Sequence, residues 1–203
     1  MPARRRMLVE IALVIVIAVA GVTWAYTSRP APAFHGRLLE PLREAPVFSL
    51  TDHQGEPFHL ADQRGKAVLL FFGYTTCPDV CPATLGTLGQ MKRQLGADGE
   101  RVEVVFITVD PERDTPARLA EYLGYFDPSA IGLTGPPEEL ARVREAYGVY
   151  AERVNDPQAP GGYWMNHTAT VLLIDPEGRL RLSYTFGSAP AEIAEDVRRI
   201  LRG

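Results

Sequence analysis

Cysteine is scarce in this chain of 203 residues, which contains only Cys77 and Cys81. Two cysteines exclude a fold held by several disulfides, and they exclude a closed zinc site built on four thiolates. About 170 residues remain once an N-terminal segment is set aside, enough to bury a core without covalent staples. Any chemistry that needs thiols must therefore use this one pair.

The chain also lacks a basic excess, since its formal net charge is −4. Setting aside the N-terminal segment removes three arginines and one glutamate, which leaves the rest more acidic still. A domain of this sign has no electrostatic basis for binding nucleic acid. Hydrophobic residues make up 46% of the chain and charged residues 23%, which argues against disorder and favours one globular domain.

One long apolar run, residues 7–26, stands near the N-terminus and is interrupted only by Glu10. Twenty helical residues span about 30 Å, the thickness of the hydrocarbon core of a bilayer. Three arginines precede the run, and the positive-inside rule keeps them in the cytoplasm. We therefore predict a single-pass protein of the cell (inner) membrane with a cytoplasmic tip (residues 1–6), a transmembrane anchor (7–26), a linker (27–44) and an extracytoplasmic domain (45–203).

A cleaved signal peptide is the alternative to the anchor. The small residues Ala18-Val19-Ala20 are a plausible cleavage site. The apolar run continues past them through Val22 and Trp24, which favours an uncleaved anchor. Both interpretations place the domain on the periplasmic side.

The remaining chain alternates strand and helix patterns. Two continuous apolar runs, residues 67–74 and 102–109, are typical of strands buried on both faces. Buried strands joined by helices imply parallel pairing. Helices are predicted after both runs, and hairpins are predicted at residues 47–60 and 168–186. This order predicts an α/β thioredoxin-like fold, a mixed sheet flanked by helices with an N-terminal hairpin and a C-terminal helix.

The two cysteines lie four residues apart at the start of the first predicted helix. Residues at this spacing share a helix face, with Cβ atoms about 5 to 6 Å apart. A helix N-terminus lowers a thiol pKa, so both thiols are suited to reaction or to metal binding. A plain disulfide would close a loop of about five residues and contribute about 2 kcal/mol at best. A redox dithiol and a metal site are the two functional interpretations.

Thiol–disulfide exchangers of this fold usually carry two residues between their cysteines, whereas this chain has three. The wider spacing suits two thiolates directed at one metal, and soft thiolates select Cu(I) and zinc. Two thiolates need a third ligand from elsewhere in the chain. The redox dithiol remains open at this point.

His167 is the candidate third ligand. It directly precedes an apolar run, in a loop that faces the cysteine loop in the thioredoxin order and that carries a cis-proline in thioredoxins. Two thiolates and one imidazole suit Cu(I), and suit Cu(II) when a fourth ligand is added. The other histidines, His35, His53 and His59, are predicted to be ordinary surface residues because no ligand-type residues surround them at metal-site spacing.

Three separated motifs resemble one known family. They are GYTTCPDVCP at residues 73–82, VDPERDTP at 109–116 and IGLTG at 131–135, and His167 precedes a strand that ends in IDP at 174–176. They resemble the SCO/SenC family of copper proteins of cytochrome c oxidase assembly, over about residues 45 to 203. The resemblance implies a thioredoxin-like fold and one copper per chain, Cu(I) or Cu(II), held by Cys77, Cys81 and His167.

The resemblance also implies a membrane-anchored copper chaperone for the dinuclear copper site of cytochrome c oxidase subunit II, with another copper chaperone as a further partner. The alternative is a thiol–disulfide oxidoreductase that keeps the cysteines of that subunit, or of another exported protein, reduced. In that case Cys77 and Cys81 are the redox-active pair. Peroxide reduction by Cys77 is a third interpretation.

Four residues near these motifs have open roles. Asp110 and Asp79 are each interpreted as a weak outer ligand or an acid near the site, and Asp110 alternatively as a turn or capping carboxylate. Met165 is expected to pack in the core or at its rim. Many family members carry aspartate where this chain has Asn166, so a carboxylate that orients His167 is not expected here.

Overall fold

The computed structural model describes residues 34–203 and, in the N-terminal segment, Leu8, Leu13, residues 15–20 and Trp24. The chain divides into two units, Met1–Ala33 and Phe34–Gly203. Most of the predicted anchor, residues 7–26, lies outside the described residues. Among the described residues, no helix is long and apolar enough to cross a membrane.

The second unit contains ten strands and four α-helices. Its strands are β1 (Arg37–Glu44), β2 (Ser49–Asp52), β3 (Pro57–His59), β4 (Ala67–Gly73), β5 (Val102–Thr108), β6 (Ile131–Thr134), β7 (Ala151–Asn155), β8 (Tyr163–His167), β9 (Val171–Ile174) and β10 (Arg179–Tyr184). Its α-helices are α1 (Val80–Leu95), α2 (Pro116–Gly124), α3 (Pro137–Ala146) and α4 (Pro190–Arg202).

Eight of these strands form one mixed sheet in the order β1-β10-β9-β4-β5-β6-β2-β3. The central strands β4, β5 and β6 pair in parallel, and β9 pairs antiparallel with β4. Every residue of β4 is buried, and so is every residue of β5 except Glu103. Such continuous apolar runs are typical of strands covered on both faces. The predicted α/β thioredoxin-like sheet is confirmed.

Helices cover this sheet through apolar stripes. Helix α1 packs against the predicted C-terminal helix, α4, whose buried residues include Ile193, Val197 and Ile200. Helix α2 follows the N-cap residue Thr115, whose hydroxyl accepts a hydrogen bond from the Arg118 backbone nitrogen at 3.3 Å. A threonine N-cap followed by proline at the first helical position is a favoured helix start.

Two parts of the sheet structure differ from the sequence-based expectation. Residues 37–44, expected to belong to a linker, form the edge strand β1, which pairs antiparallel with β10. Strands β7 and β8 form a separate two-stranded sheet that was not predicted. Both β1 and β7 are largely exposed, so neither carries the alternation of apolar and polar residues that marks a half-buried strand.

The first residues of the domain are tied to its last helix. The fully buried Asp196 of α4 accepts hydrogen bonds from the backbone nitrogens of His35 (3.1 Å) and Gly36 (2.8 Å) and from the Tyr184 hydroxyl (3.2 Å). A Cβ atom on Gly36 would lie 2.6 Å from the Tyr184 ring, so only glycine lets the backbone pass this close. The carboxylate thereby fixes the start of the domain.

Candidate metal centre

The sheet topology brings the cysteine loop and His167 to one edge. Strands β4 and β5 are parallel, with Gly73 opposite Thr108, so the loops that follow both strands leave the sheet at the same edge. Strand β9 runs antiparallel to β4, with Val171 opposite Phe71, so the loop that enters β9 opens at that edge too. Because His167 ends β8 just before this loop, the fold places it beside the start of α1.

The structure brings the three predicted ligands together. The ligand atoms of Cys77, Cys81 and His167 all lie within 4.8 Å of one another, and Cys81 Sγ lies 3.4 Å from His167 Nε2. Thiolate and imidazole ligands bind a metal at about 2.0 to 2.3 Å, so three of them in one plane around an ion lie about 3.5 to 4.0 Å apart. The group therefore fits one metal ion after small adjustments.

The backbone determines which nitrogen of His167 is available to a metal. Its Nδ1 lies 3.1 Å from the carbonyl oxygen of Thr168. A carbonyl oxygen only accepts, so Nδ1 carries the proton and the neutral Nε2 directs a lone pair toward Cys81. The ring packs edge-on against Tyr74, with centroids 5.8 Å apart and planes at 87°. The imidazole is therefore oriented without a neighbouring carboxylate, and the residue before it is the exposed Asn166.

The two cysteines differ in access. Cys77 is half-buried and Cys81 is fully buried, and both are free thiols. A Cβ atom on Gly73 would lie 3.0 Å from Cys81 Sγ and 2.7 Å from a ring carbon of Phe106. The absence of a side chain at Gly73 therefore makes the space that the inner sulfur occupies.

The two thiols also differ in acidity. The hydrogen bond from the Cys81 thiol lowers the pKa of Cys77 to about 3, although burial acts in the opposite direction. The backbone nitrogens of Asp79 and Cys81 lower it further. The same thiol–thiolate hydrogen bond, together with burial, raises the pKa of Cys81. The pair thus combines a partly accessible thiolate with an enclosed thiol.

The other predicted site residues do not join this group. Asp110 is 3% exposed, and its two carboxylate oxygens contact Arg113 Nε and the Tyr163 hydroxyl. Asp79 is exposed at the N-cap position of α1 and makes no capping hydrogen bond. Met165 packs against the core, as expected. Because both of its oxygens have partners in the protein, Asp110 is a structural carboxylate in the loop after β5.

The other three histidines have local partners. His53 Nδ1 accepts a hydrogen bond from the backbone of Gly132 at 3.0 Å, and His59 contacts Ser49. The ring of His35 contacts Glu195 at 3.2 Å. Within the part of the chain that the structure describes, only Cys77, Cys81 and His167 form a group that could hold a metal.

One buried carboxylate that the sequence does not single out supports the cysteine loop. Asp114 is fully buried and accepts hydrogen bonds from the backbone nitrogen of Thr75 and from the hydroxyls of Thr75 and Thr108, both hydroxyls at 2.6 Å. Burial raises the pKa of Asp114, and these hydrogen bonds act in the opposite direction. The available signal was the pair of carboxylates directly after a buried strand, in the motif at residues 109–116.

Comparison with known proteins agrees with this geometry. The family model SCO1/SenC matches residues 37–202, which is most of the chain. The chain belongs to the SCO1/SenC family. A curated relative, the mouse mitochondrial protein SCO2 homolog, is 39% identical over 189 residues, covering 89% of this chain and 74% of that protein.

Two solved structures of Sco proteins are also similar. Bradyrhizobium japonicum ScoI with copper bound is 43% identical, with a TM-score of 0.71, and the match covers 78% of this chain and 99% of ScoI. The apo Sco1 protein of Thermus thermophilus is 38% identical, with a TM-score of 0.74, and the match covers 83% and 97% of the two chains. The family model, over residues 37–202, includes all three candidate ligands.

Proposed function

We propose that this protein is a membrane-anchored, extracytoplasmic copper chaperone for the dinuclear copper site of cytochrome c oxidase subunit II. It binds one copper ion through Cys77, Cys81 and His167. The convergence of two sulfurs and one imidazole nitrogen within 4.8 Å is the observation that carries this proposal. Resemblance to the SCO/SenC family supplies the recipient, and another copper chaperone is the proposed donor.

The chemistry of the donor set favours copper over other metals. Two thiolates with one imidazole form a soft, three-coordinate set suited to Cu(I), and a fourth ligand adapts it to Cu(II). Structural zinc sites need four protein ligands, and the described residues offer three. The related ScoI of B. japonicum, which is 43% identical, has been solved with copper bound.

Access to the site suits transfer. Cys77 is half-buried whereas Cys81 is fully buried, so an incoming thiolate reaches the metal from the side of Cys77. Exchange of ligands of the recipient for Cys77 and then for the other two ligands would move the ion without a change in its oxidation state. The apolar run at residues 7–26 supports anchoring in the cell (inner) membrane, with the domain on the periplasmic side.

Copper stoichiometry of the reduced full-length chain tests the site. We expect one copper per chain in the wild type and a marked loss of affinity in His167→Ala, because the imidazole supplies the third ligand. His59→Ala is the matched control, since His59 contacts Ser49 and lies outside the ligand group, and its affinity should equal that of the wild type. Equal copper affinity in His167→Ala and the wild type would show that the three-ligand site is wrong.

A second function, thiol–disulfide oxidoreductase, is favoured by the acidity of Cys77. The pKa of Cys77 is lowered, so its thiolate can attack a partner disulfide, forming a mixed disulfide and releasing one partner thiolate. Cys81 then loses its proton and attacks Cys77, releasing the second partner thiol. The pair is oxidised by two electrons and the partner is reduced by two.

Turnover of a disulfide substrate separates the two functions. We expect slow turnover and one retained copper from the chaperone. Rapid reduction of a generic disulfide by a chain that retains no copper would favour the oxidoreductase. The midpoint potential of the Cys77–Cys81 couple adds a thermodynamic measure of the same choice.

A further inference from the structure

The loop after β5 contacts the two segments that carry the ligands, at Thr75 before the cysteines and at Tyr163 in the strand that ends at His167. We propose that this loop, residues 110–114, positions the metal site by holding the cysteine loop through Asp114 and the histidine-bearing strand through Arg113 and Asp110. The inference deepens the proposed copper function and rests on it for its metal readouts. The contacts themselves are properties of the metal-free protein.

The first contact holds the cysteine loop. Asp114 accepts hydrogen bonds from the backbone nitrogen of Thr75, two residues before Cys77, and from the Thr75 hydroxyl. The Thr108 hydroxyl donates to the same carboxylate and accepts from the backbone nitrogen of Asp110. Every group that faces Asp114 in these bonds is a donor to it, so a carboxylate satisfies all of them and an amide does not.

The second contact holds strand β8. Arg113 Nη1 donates to the backbone carbonyls of Pro160 (2.6 Å) and Tyr163 (3.1 Å), and its guanidinium lies 3.7 Å from the centroid of the Tyr163 ring. The Tyr163 hydroxyl donates to Asp110, which also pairs with Arg113 Nε. Tyr163 begins β8 and His167 ends it, so these bonds fix the strand that presents the imidazole.

Side-chain contacts matter at β8 because its sheet is small. Strands β7 and β8 pair only with each other, and a two-stranded hairpin is marginally stable without packing. Four of the five β7 residues are exposed. The separation of His167 from the cysteines therefore depends on the groups that tie β8 to the main sheet. Among these groups are Arg113 and Asp110, which both bond to Tyr163.

The test compares two arginine-to-lysine variants of the full-length chain. Lysine keeps the charge of Arg113 but lacks the planar fork that contacts the carboxylate and two carbonyls together. Arg179→Lys is the matched control, because Arg179 Nε pairs with the buried Asp175 at 2.8 Å. That pair follows Ile174, which lies opposite Val68 at the other end of β4, so it is remote from the ligand group.

We expect Arg113→Lys to bind copper about tenfold more weakly than the wild type, the lower end of the range for groups that orient ligands. The thiolate-to-Cu(II) absorption band and the copper hyperfine splitting should shift in this variant. Arg179→Lys should lose comparable stability and leave both spectra unchanged. Asp114→Asn should alter the same signals as Arg113→Lys, because it loosens the cysteine loop.

A metal-free measurement separates this inference from the copper function. In the metal-free chain, nuclear Overhauser contacts between the rings of His167 and Tyr74 should be present in wild type and Arg179→Lys, and weakened in Arg113→Lys. Unchanged contacts, or copper spectra that match the wild type in Arg113→Lys, would overturn the positioning role. If the wild-type chain binds no copper but Arg113→Lys still loses the ring contacts, the copper function is rejected and the positioning role is retained.

Discussion

The candidate metal site has a cysteine half and a histidine half, and different contacts hold the two halves in place. The cysteine half follows the fully buried strand β4, and Cys81 and Asp114 have no solvent exposure. The histidine half ends β8, a strand of a separate two-stranded sheet in which only Tyr163 is fully enclosed. Apolar packing and the buried Asp114 carboxylate together secure the first half, whereas polar side-chain bonds at a largely exposed hairpin secure the second.

Because of this difference, mutations in the two halves should have different effects on stability and on metal binding. A change beside the cysteines disturbs the core, so it should reduce stability and metal affinity together. A change at the ties of β8 breaks few apolar contacts, so it should alter the position of the imidazole more than the stability of the domain. The four predictions that follow test this division, beginning with the largest expected effect.

Cys81→Ser should reduce copper affinity more than any other single change. Serine removes the enclosed soft ligand, and we expect a loss of more than about a hundredfold, beyond the range for groups that only orient ligands. His167→Ala should lose less, because both thiolates remain. Competition with a Cu(I) chelator of known affinity measures both variants. A larger loss of copper affinity in His167→Ala than in Cys81→Ser would contradict this ranking of the two ligands.

Gly73→Ala should destabilise the metal-free chain by about 1 to 3 kcal/mol, because the new Cβ atom meets Phe106 at 2.7 Å and Cys81 Sγ at 3.0 Å. Gly86→Ala is the control, since nothing lies within 4 Å of a Cβ atom there and alanine favours the interior of α1 by about 1 kcal/mol. Urea unfolding of the reduced proteins compares them. If Gly73→Ala had the same free energy of unfolding as the wild type, the space at Gly73 would not be needed.

Tyr163→Phe should lower stability by about 1 kcal/mol, because it removes the hydroxyl that donates to the buried Asp110 at 2.8 Å. The control is Tyr150→Phe, whose exposed hydroxyl contacts the exposed Glu152 and should contribute less than about 0.5 kcal/mol. Thermal unfolding of both variants gives the comparison. If Tyr163→Phe and the wild type had the same unfolding midpoint, the hydrogen bond from Tyr163 to Asp110 would not stabilise the domain.

The smallest expected effect is a pH profile that is nearly flat. The pKa of Cys77 is lowered to about 3, so its thiolate persists well below neutral pH. An ordinary thiol has a pKa of about 8.5, and below that pH its thiolate fraction rises about tenfold with each pH unit. Alkylation of the metal-free chain by iodoacetamide should therefore change little between about pH 6 and about pH 8.

Mass spectrometry of the alkylated peptides supplies the internal control for that profile. Cys81 should stay unmodified until the chain is unfolded, because burial encloses it and its pKa is raised. A rate at Cys77 that rises steeply with pH, or equal modification of both cysteines in the folded chain, would contradict the proposed asymmetry.

Local patterns in the sequence predict the cysteine half well. The buried strands β4 and β5 are continuous apolar runs. The spacing of the cysteines predicts a shared helix face, but only Cys81 lies on α1, because the helix begins at Val80. The order of strands and helices then predicts that the loop containing His167 faces them. Each of these inferences needs only local periodicity and the known geometry of a mixed sheet.

Other features depend on contacts between distant segments, which periodicity does not reveal. Strand β1 pairs through its backbone at an exposed edge, and β7 has one partly buried residue among five. The role of Arg113 depends on carbonyl groups about fifty positions further along the chain. The sequence therefore predicts the ligands, but it does not predict the contacts that hold them in position.

The buried Asp196 bears on how the domain can be trimmed. It accepts hydrogen bonds from the backbone of His35 and Gly36 and from Tyr184. A soluble version that begins after Gly36 would leave this carboxylate with Tyr184 alone, and an unsatisfied buried acceptor costs about 1 to 3 kcal/mol. A shortened protein for spectroscopy should therefore keep every residue from Phe34 onward.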